Sequence, residues 1–278
     1  MRAITVIQLV PRLDAGGAER STLEIADALV RAGHRSIVVS GGGRLVQRLV
    51  AAGSEHVTLG IGAKSIGTLR HALALRRLFA DAAPDIVHAR SRLPAWLGWW
   101  AARRVSPRPH FVTTVHGRNT PGFYSGVMLR GERIVCVSES VRRYVLEHYP
   151  RVAVERIEVI PRGVDPVAFP HGYAPDAAWR ERYAQEFPQL RSLPVLLMPA
   201  RGTRLKGHLD AIRVVAELER THGVRAALLL AGAREPGRKG YVAELESLAR
   251  ELGVEARVVV TPPRDDVREL MASAACVL

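Results

Sequence analysis

The sequence predicts an α/β protein built from two doubly wound domains, in each of which helices cover a parallel sheet. Short continuous apolar runs, such as those at 3–10, 85–89 and 226–232, are typical of strands buried on both faces of such a sheet. Between these runs lie longer segments with apolar residues at helical spacing, as at 18–32. Prolines and mixed polar residues interrupt the alternation once, over 161–193, after which it restarts.

Each element follows from a local pattern, and the first predicted helix, 18–32, ends before Gly33 as a C-cap glycine would require. Further strands of the first domain are predicted at 36–40, 85–89, 110–115, 133–137 and 156–160, and further helices at 43–52, 66–82, 94–104, 123–130 and 139–148. In the second domain we predict strands at 193–199, 226–232, 256–260 and from Cys276 onward, with helices at 208–221, 239–252 and 265–274.

The interruption sets the predicted domain boundaries. Residues 1–165 form the first domain, 166–192 a linker with a short helix near 177–185, and 193–278 an incomplete second domain. The chain ends inside a predicted strand, which would leave a sheet edge unpaired. We therefore expect the natural protein to continue past this point.

Composition and charge narrow the function classes. The chain has 278 residues, 47% of them hydrophobic and 24% charged, which is typical of a soluble globular protein. It contains no apolar stretch long enough for a transmembrane helix and no secretory signal, so we expect a cytoplasmic location. The two cysteines, Cys136 and Cys276, lie in apolar runs and are expected to be buried free thiols.

The net charge is +13, and most of it lies in the first half of the chain. Residues 1–166 carry 24 basic and 13 acidic residues, whereas 167–278 carry 16 and 14. Such an excess suits an anionic membrane surface, a phosphorylated acceptor or a nucleic acid. No zinc finger, RNP-type aromatic pattern or helix-turn-helix spacing supports the nucleic-acid alternative.

Two neighbouring glycines, Gly16 and Gly17, join the first strand to the first helix. They would let the backbone turn sharply and approach a ligand, and the helix N-terminus offers free N–H groups to an anion. The alternative is a plain strand–helix turn. The loop around Gly16 and Gly17 does not match the GxGxxG fingerprint of dinucleotide-binding proteins, and it does not match the P-loop motif.

Two histidines end neighbouring predicted strands. His116 follows the strand at 110–115 and precedes a glycine, and His88 lies near the end of the strand at 85–89. Ligands of open α/β sheets bind at the carboxyl ends of strands, so His116 is a candidate site residue and His88 a weaker one. A structural role in the core is the alternative for both.

A basic loop follows the first strand of the second domain. Arg201 and Lys206 are five positions apart in a loop that contains Gly202 and Gly207. A guanidinium and an ammonium so placed can bind a diphosphate together. A solvated basic loop is the alternative.

The ordered set of motifs resembles the retaining, nucleotide-sugar-dependent glycosyltransferases of family 4. The matching strings are GGAER (16–20), VHG (115–117), VSES (137–140), IPRGVD (160–165), ARGTRLKG (200–207) and LLAG (229–232), which cover nearly the whole chain. Single strings are weak, but their order and spacing are specific to the family. The resemblance implies the GT-B architecture of two Rossmann-like domains.

The resemblance also implies roles for individual residues. Gly16 and Gly17 match the loop that approaches the donor diphosphate and the acceptor, and His116 matches the histidine that touches the sugar near the reaction centre. Arg201 and Lys206 match the pair that neutralises the diphosphate leaving group. Further candidates for the substrate cleft are Glu19, His88, Ser138, Glu139 and Gly163.

Two departures from the family pattern stand out. Arg162 replaces the asparagine of the usual IPNGVD string. The paired-glutamate motif E-x7-E, which contacts the donor in the family, would follow the last predicted strand and lies beyond this chain. We therefore expect the chain to be inactive by itself.

The resemblance implies transfer of a sugar from a nucleotide diphosphate to an acceptor hydroxyl with retention of configuration. The expected acceptors are glycans or glycolipids of the cell envelope, including lipopolysaccharide. The basic helix at 66–82 suits a peripheral contact with the inner face of an anionic membrane, and a core-facing helix with a solvated basic face is the alternative. No metal or other cofactor is expected, because cationic side chains and helix N-termini would take the charge of the leaving group. A sugar-nucleotide epimerase or a phosphorylase on the same scaffold is the alternative within enzymes.

Overall fold

A computed structural model describes residues 2–14, 16–63 and 67–278 of the chain. The chain divides into two compact units, residues 1–163 and 164–278. Each unit contains its own parallel sheet, with strand order β3-β2-β1-β4-β5-β6-β7 in the first and β10-β9-β8-β11 in the second. The predicted pair of doubly wound α/β units is thereby confirmed.

The first unit is a twisted parallel sheet with helices between its strands. Its strands are β1 (Thr5–Leu9), β2 (Arg35–Ser40), β3 (Glu55–Thr58), β4 (Ile86–Ala89), β5 (His110–Val115), β6 (Arg133–Cys136) and β7 (Ile157–Val159). Its α-helices are α1 (Gly17–Arg31), α2 (Val46–Ala51), α3 (Thr68–Ala82), α4 (Arg92–Ala102) and α5 (Glu139–His148), and short 3₁₀ turns cover Ser125–Leu129 and Val154–Arg156.

The strand order of the first sheet creates a switch point between β1 and β4. β1 pairs with β2 on one side and with β4 on the other, so the chain changes its direction of winding between β1 and β4. At such a switch point the loops after the two strands diverge to opposite faces and leave a crevice at the carboxyl edge. We therefore expect a ligand site at the residues that follow β1 and β4.

One strand, β3, escapes prediction from the sequence. Its four residues, Glu55–Thr58, lie at the edge of the sheet and are half-buried or exposed rather than uniformly buried. An edge strand with Glu and His in it has no continuous apolar run to reveal it, and such polar residues are common on edges because they discourage further pairing. Helix 66–82 was expected to begin earlier than α3 does; positions 64–66 lie outside the described residues.

The second unit repeats the plan on a smaller scale. Its strands are β8 (Val195–Pro199), β9 (Ala227–Ala231), β10 (Val258–Val260) and β11 (Cys276–Val277). Its α-helices are α6 (Ala177–Glu186), α7 (His208–His222), α8 (Lys239–Glu251) and α9 (Val267–Ser273), with 3₁₀ turns at Pro188–Leu190, Arg204–Lys206 and Glu255–Arg257. β8 pairs with both β9 and β11, so the switch point of this sheet lies at β8.

The segment 166–192, expected as a linker, contains α6 and contributes to the second unit. Trp179 of α6 is buried in a cluster with residues of β8 and β9. Its Nε1 donates a hydrogen bond to Asp266 at 2.9 Å, which satisfies the indole donor inside the cluster. The helix begins with Asp176 as N-cap, whose carboxylate accepts from the backbone N–H of Trp179.

The two cysteines differ in burial. Cys136 on β6 is fully buried, and burial raises the pKa of its thiol to about 11. Cys276 is exposed, so the expectation of two buried thiols is wrong for this residue. The reason is its position on β11, an edge strand that pairs only with β8 among the described residues.

Candidate functional site

The loop between β1 and α1 brings backbone close to a side chain from a distant part of the chain. Gly16 has φ 134°, a conformation that side chains with a Cβ adopt rarely, and it serves as the N-cap of α1 without a side-chain bond. At Gly17 an added Cβ would stand 1.7 Å from Nη1 of Arg162. A glycine at position 17 is therefore what permits Arg162 to lie against the first turn of α1.

Arg162 also contacts the predicted catalytic residue. Its Nη2 donates a hydrogen bond to Nδ1 of His116 at 3.0 Å. Because a guanidinium has no acceptor, Nδ1 must supply its lone pair, and the neutral ring then carries its proton on Nε2. That Nε2 is shielded from solvent and has no hydrogen-bond partner within the described part of the chain.

The surroundings of His116 keep its ring neutral. Burial, followed by the positive charges of Arg90 and Arg162, lowers the pKa of His116 to about 3. An imidazole in this state offers one N–H donor at Nε2 and takes up no proton near neutral pH. The arrangement can therefore orient a hydroxyl or an oxygen acceptor of a ligand.

His88 has a different role. It is buried on β4, and its Nε2 lies 2.7 Å from Oγ1 of Thr114 on the neighbouring β5. Burial, and then the charges of Arg90 and His116, lower the pKa of His88 to about 3. Burial and the contact with Thr114 favour the structural alternative for His88, and a role in the site stays a prediction.

Sequence reasoning missed Arg90, which follows β4 directly. The residue is only 3% exposed. Its Nη1 donates to Oε1 of Gln8 at 3.1 Å and its Nη2 to Oγ of Ser21 at 2.5 Å. The available signal was an arginine placed immediately after a buried apolar strand, at the carboxyl edge of the sheet, where ligands bind.

Gln8 holds the side chain of Arg90 in place through their hydrogen bond. It is fully buried on β1, and its Nε2 donates to the backbone carbonyl of Thr22 in α1 at 3.1 Å. With both ends of its amide bonded, Gln8 holds a defined orientation, so its oxygen faces Arg90. The strand β1 and the helix α1 thus fix the guanidinium together.

The remaining candidates of the first unit separate into two kinds. The Glu19 carboxylate lies beside Gly16, since Oε2 is 2.6 Å from the position of a Cβ there, and Gly163 ends the unit with open space around it. Ser138 is the N-cap of α5, with Oγ accepting from the backbone N–H of Val141 at 3.2 Å. Glu139 pairs with Arg142 one turn later at 2.7 Å. Ser138 and Glu139 therefore have local bonds that account for them.

In the second unit, the basic loop follows β8 at the switch point of the sheet. Arg201 and Lys206 are both exposed, and within the described residues neither side chain has a hydrogen bond or an ion pair. The backbone of Gly202 lies so close to Ala233 that a Cβ there would stand 2.1 Å from the Ala233 carbonyl oxygen. The loop is therefore anchored while its two cations stay available to a ligand.

The loop ends at the start of a long helix. Gly207 has φ 81° and is the N-cap of α7, with no side-chain cap. Its left-handed conformation suits glycine, and the uncapped first turn leaves backbone donors free beside the two cations. Below it His208 is fully buried, with its ring edge-on to that of Tyr241.

The described residues contain neither a cluster of metal-binding side chains nor a membrane-spanning helix. Across 2–14, 16–63 and 67–278 there is no group of three or more His, Cys, Asp or Glu side chains suited to hold a metal ion. Within the same residues, no helix is both long and apolar enough to cross a membrane.

Comparisons with known proteins place the chain in a family. Residues 15–168 match Glycosyltransferase Family 4, and residues 180–278 match Glycosyl transferases group 1. A D-inositol 3-phosphate glycosyltransferase of Xylanimonas cellulosilytica is 31% identical over 193 residues, which are 64% of this chain and 45% of that protein. The aligned part of this chain thus spans about half the length of that curated relative.

Solved structures share the fold of the whole chain. A glycosyltransferase from Rickettsia africae ESF-5 has a TM-score of 0.82 at 28% identity, covering 100% of this chain and 73% of the other. The Anabaena protein HepE, solved with UDP-glucose, has a TM-score of 0.82 at 19% identity, covering 99% of this chain and 73% of the other. With a family match over more than half of its length, the chain belongs to Glycosyltransferase Family 4.

Proposed function

We propose that this chain belongs to an enzyme that transfers a sugar from a nucleotide diphosphate to a hydroxyl of an acceptor. The observation that carries the proposal is the family match over residues 15–168. The complex of the fold relative HepE with UDP-glucose supports a nucleotide-sugar donor. The unpaired cations Arg201 and Lys206 after β8 support a diphosphate as the group that is bound there.

In the proposed reaction the bond between the anomeric carbon and the diphosphate oxygen breaks, and the acceptor hydroxyl attacks from the same face, so configuration is retained. The hydroxyl proton passes to an oxygen of the departing diphosphate. Arg201 and Lys206 stabilise the negative charge that develops on that group, without a metal ion. Each positive side chain acts more strongly on the departing group than on the intact donor, which is the condition for catalysis.

His116 has a positioning role in this scheme rather than a proton-transfer role. Its Nδ1 lone pair is occupied by Arg162, and its Nε2 already carries the proton. The buried, unpartnered Nε2–H is a donor for a hydroxyl of the transferred sugar. A hydrogen bond that forms only when the sugar is seated contributes to turnover, because it fixes the reacting carbon.

We also propose that the acceptor is a glycan or glycolipid of the cell envelope and that the first unit touches the inner face of the cytoplasmic membrane. On α3 the apolar Leu73 is 47% exposed, beside the exposed Arg70 and Arg77. Phe123 is 80% exposed and packs against Trp96, with ring centroids 5.1 Å apart. Basic and aromatic side chains on one unit suit an anionic leaflet.

The donor experiment is a thermal-shift screen of the chain against UDP-, GDP- and ADP-sugars, each compared with its nucleoside. We expect stabilisation by at least one nucleotide sugar and none by the nucleoside at the same concentration. The matching transfer assay reads the anomeric configuration of the product by NMR. Epimerised or phosphorolysed sugar without transfer would contradict the proposal.

The membrane experiment is cosedimentation with vesicles of phosphatidylglycerol or phosphatidylcholine. We expect binding to the anionic vesicles alone, weakening as salt rises. The double variant Arg70→Gln with Arg77→Gln should bind less. Its matched control, Arg180→Gln with Arg182→Gln on the exposed side of α6, should bind as the parent does. Equal losses in both variants would mean a nonspecific charge effect.

A further inference from the structure

Two guanidinium groups of the first unit contact the beginning of α1: Arg90 bonds to Ser21, and Arg162 lies against Gly17. Arg162 contacts His116, and the charges of Arg90 and Arg162 both act on that histidine. The two arginines also act on each other: after burial, the charge of Arg162 is the next largest cause that lowers the pKa of Arg90, to about 10. Because Arg90 is buried, its repulsion by a second positive charge is only partly screened by solvent and costs free energy.

Among the residues that the structure describes, no carboxylate forms an ion pair with either guanidinium to offset that repulsion. Within the described residues neither Arg90 nor Arg162 forms an ion pair, whereas Arg2, Arg12, Arg31, Arg35 and Arg142 of the same unit do. The acid whose charge acts on the pKa of Arg90 is Glu24 of α1, which is exposed and forms no ion pair with Arg90 among the described residues. Glu19 lies beside Gly16, and neither guanidinium bonds to it.

Arg90 also has unused donors. A guanidinium carries five N–H donors, of which Gln8 and Ser21 each take one. Its Nε is buried and has no partner in the described part of the chain. A charged group that is 3% exposed, held in place by neutral partners and left with free donors, is costly unless something negative binds it.

We propose that Arg90 and Arg162 bind an anionic group of a substrate, a phosphate or a carboxylate, in the first unit. The uncapped N-terminus of α1 at Gly16 and Gly17 lies against Arg162 and adds backbone donors of the same sign. Arg90 and Arg162 belong to the first unit, whereas the Arg201–Lys206 loop belongs to the second. The inference deepens the proposed function, since it names the class of substrate, but its binding test does not require turnover.

Two sources could supply the anion: the diphosphate of the donor, or a negative group on the acceptor. Both present oxygen atoms that match the fork of a guanidinium. Residues 1–166 carry 24 basic and 13 acidic residues, and this positive charge suits both sources equally well. Separate probes therefore distinguish them.

The first experiment titrates inorganic phosphate into the chain and follows the imidazole signals of His116 by NMR. We expect these signals to shift in the parent, with a Kd about ten times higher in Arg162→Gln. Arg48→Gln removes the same charge from an exposed site on α2 and should leave the Kd unchanged. No phosphate-dependent shift, or equal effects of the two substitutions, would overturn the proposal.

The buried arginine needs its own variant. Arg90→Lys keeps a positive charge but loses the fork that Gln8 and Ser21 hold, and we expect it to weaken phosphate binding as well. If it fails to fold, Arg162→Gln decides alone, because Arg162 is exposed and its removal leaves the core intact.

The second experiment separates the sources in a background that carries Arg201→Ala and Lys206→Ala. Glycerol 3-phosphate represents a monophosphate on the acceptor, and UDP represents the donor. If Arg162→Gln weakens glycerol 3-phosphate binding in this background, the anion belongs to the acceptor. If it weakens UDP binding alone, the anion is the donor diphosphate. No loss with either probe overturns the site, whereas failure of the transfer assay alone would contradict only the proposed reaction.

Discussion

Arg162 donates a hydrogen bond to His116 across 46 positions of the chain, and this contact joins the loop after β7 to the end of β5. The bond fixes the tautomer of the histidine, because Nδ1 must accept. It also places a positive charge beside a ring that is already partly buried, which disfavours protonation. Orientation and charge state of His116 therefore depend on the same residue.

Removing that charge should raise the pKa of His116. Burial is the largest cause of its low pKa and would persist in Arg162→Gln, so the pKa should rise from about 3 yet stay below the ordinary value of 6.5. An NMR titration of the imidazole in acid measures this. Arg48→Gln should leave the titration unchanged, and a fall in the pKa of His116 would contradict the electrostatic account.

Gly17→Ala should disturb the same contact without harming the fold. A methyl group at position 17 would stand 1.7 Å from Nη1 of Arg162, so the end of that flexible side chain must move. Alanine suits a first helical turn, and the free energy of unfolding should change by less than about 1 kcal/mol. The imidazole signals of His116 should shift, because its hydrogen bond from Arg162 is broken or displaced.

The control for this substitution is Gly240→Ala, in the first turn of α8, where nothing lies within 4 Å of the added Cβ. It should have the same small effect on stability and none on His116. Unchanged His116 signals in Gly17→Ala would show that Arg162 has room to adjust while keeping the bond.

The fold was predictable where burial is uniform. β9, which is buried at every position, and α5, which spans Glu139–His148, lie where their patterns place them. β3 was missed because an edge strand need not be apolar. α6 belongs to the second unit because Trp179 is buried there. The prolines around α6 predict a linker, and no local pattern reports the tertiary contact of Trp179.

The candidate site was predictable only in its loops. The glycine pair, His116 and the Arg201–Lys206 loop stand out because they follow strands, and their roles remain predictions. Arg90 and the bond between Arg162 and His116 could not be found in this way, since no local pattern reports a contact across 46 positions. Arg162 was visible in the sequence only as a departure from a familiar string.

Ser138→Ala should cost stability and leave ligand binding unchanged. The Ser138 hydroxyl caps α5 by accepting from the backbone N–H of Val141, and loss of such a cap costs about 1 kcal/mol. Urea unfolding measures the loss. Ser140→Ala removes a hydroxyl that lies 3.1 Å from Ser138 Oγ but does not itself cap the helix, so it should cost less. Weaker nucleotide-sugar binding at an unchanged free energy of unfolding would contradict this and would support Ser138 as a residue that contacts the substrate.

The buried histidines should make the protein sensitive to mild acid. The folded-state pKa of His88, about 3, lies below its ordinary value of 6.5, so its contribution to stability is complete above pH 6.5 and is lost as the pH falls toward 3. Between pH 6.5 and 5 the unfolded chain takes up a proton that folded His88 does not. This difference lowers the free energy of unfolding by about 2 kcal/mol.

His88→Gln should remove that part of the pH dependence while retaining a partner for Thr114. The measurement is urea unfolding of parent and variant at both pH values, comparing the change rather than the absolute stability. His171→Gln, at an exposed position, is the control. An equal loss of stability in parent and variant would mean that His88 is already protonated in the folded protein or stays neutral in both states.

Arg201→Ala and Lys206→Ala should each weaken binding of a nucleoside diphosphate by roughly 1.5–3 kcal/mol, as expected for a charge-assisted contact. Both side chains are exposed and unpaired within the described residues, so the substitutions should leave the stability of the second unit nearly unchanged. Isothermal titration with UDP and with uridine separates the phosphates from the nucleoside, whose affinity should stay constant. Arg213→Ala, on the exposed side of α7 and paired with Asp210, removes an arginine of the same unit outside the loop and should have no effect on UDP. Equal losses of affinity for UDP and uridine would mean that Arg201 and Lys206 contact the nucleoside or only shape the loop. Other residues would then have to neutralise the charge of the leaving group.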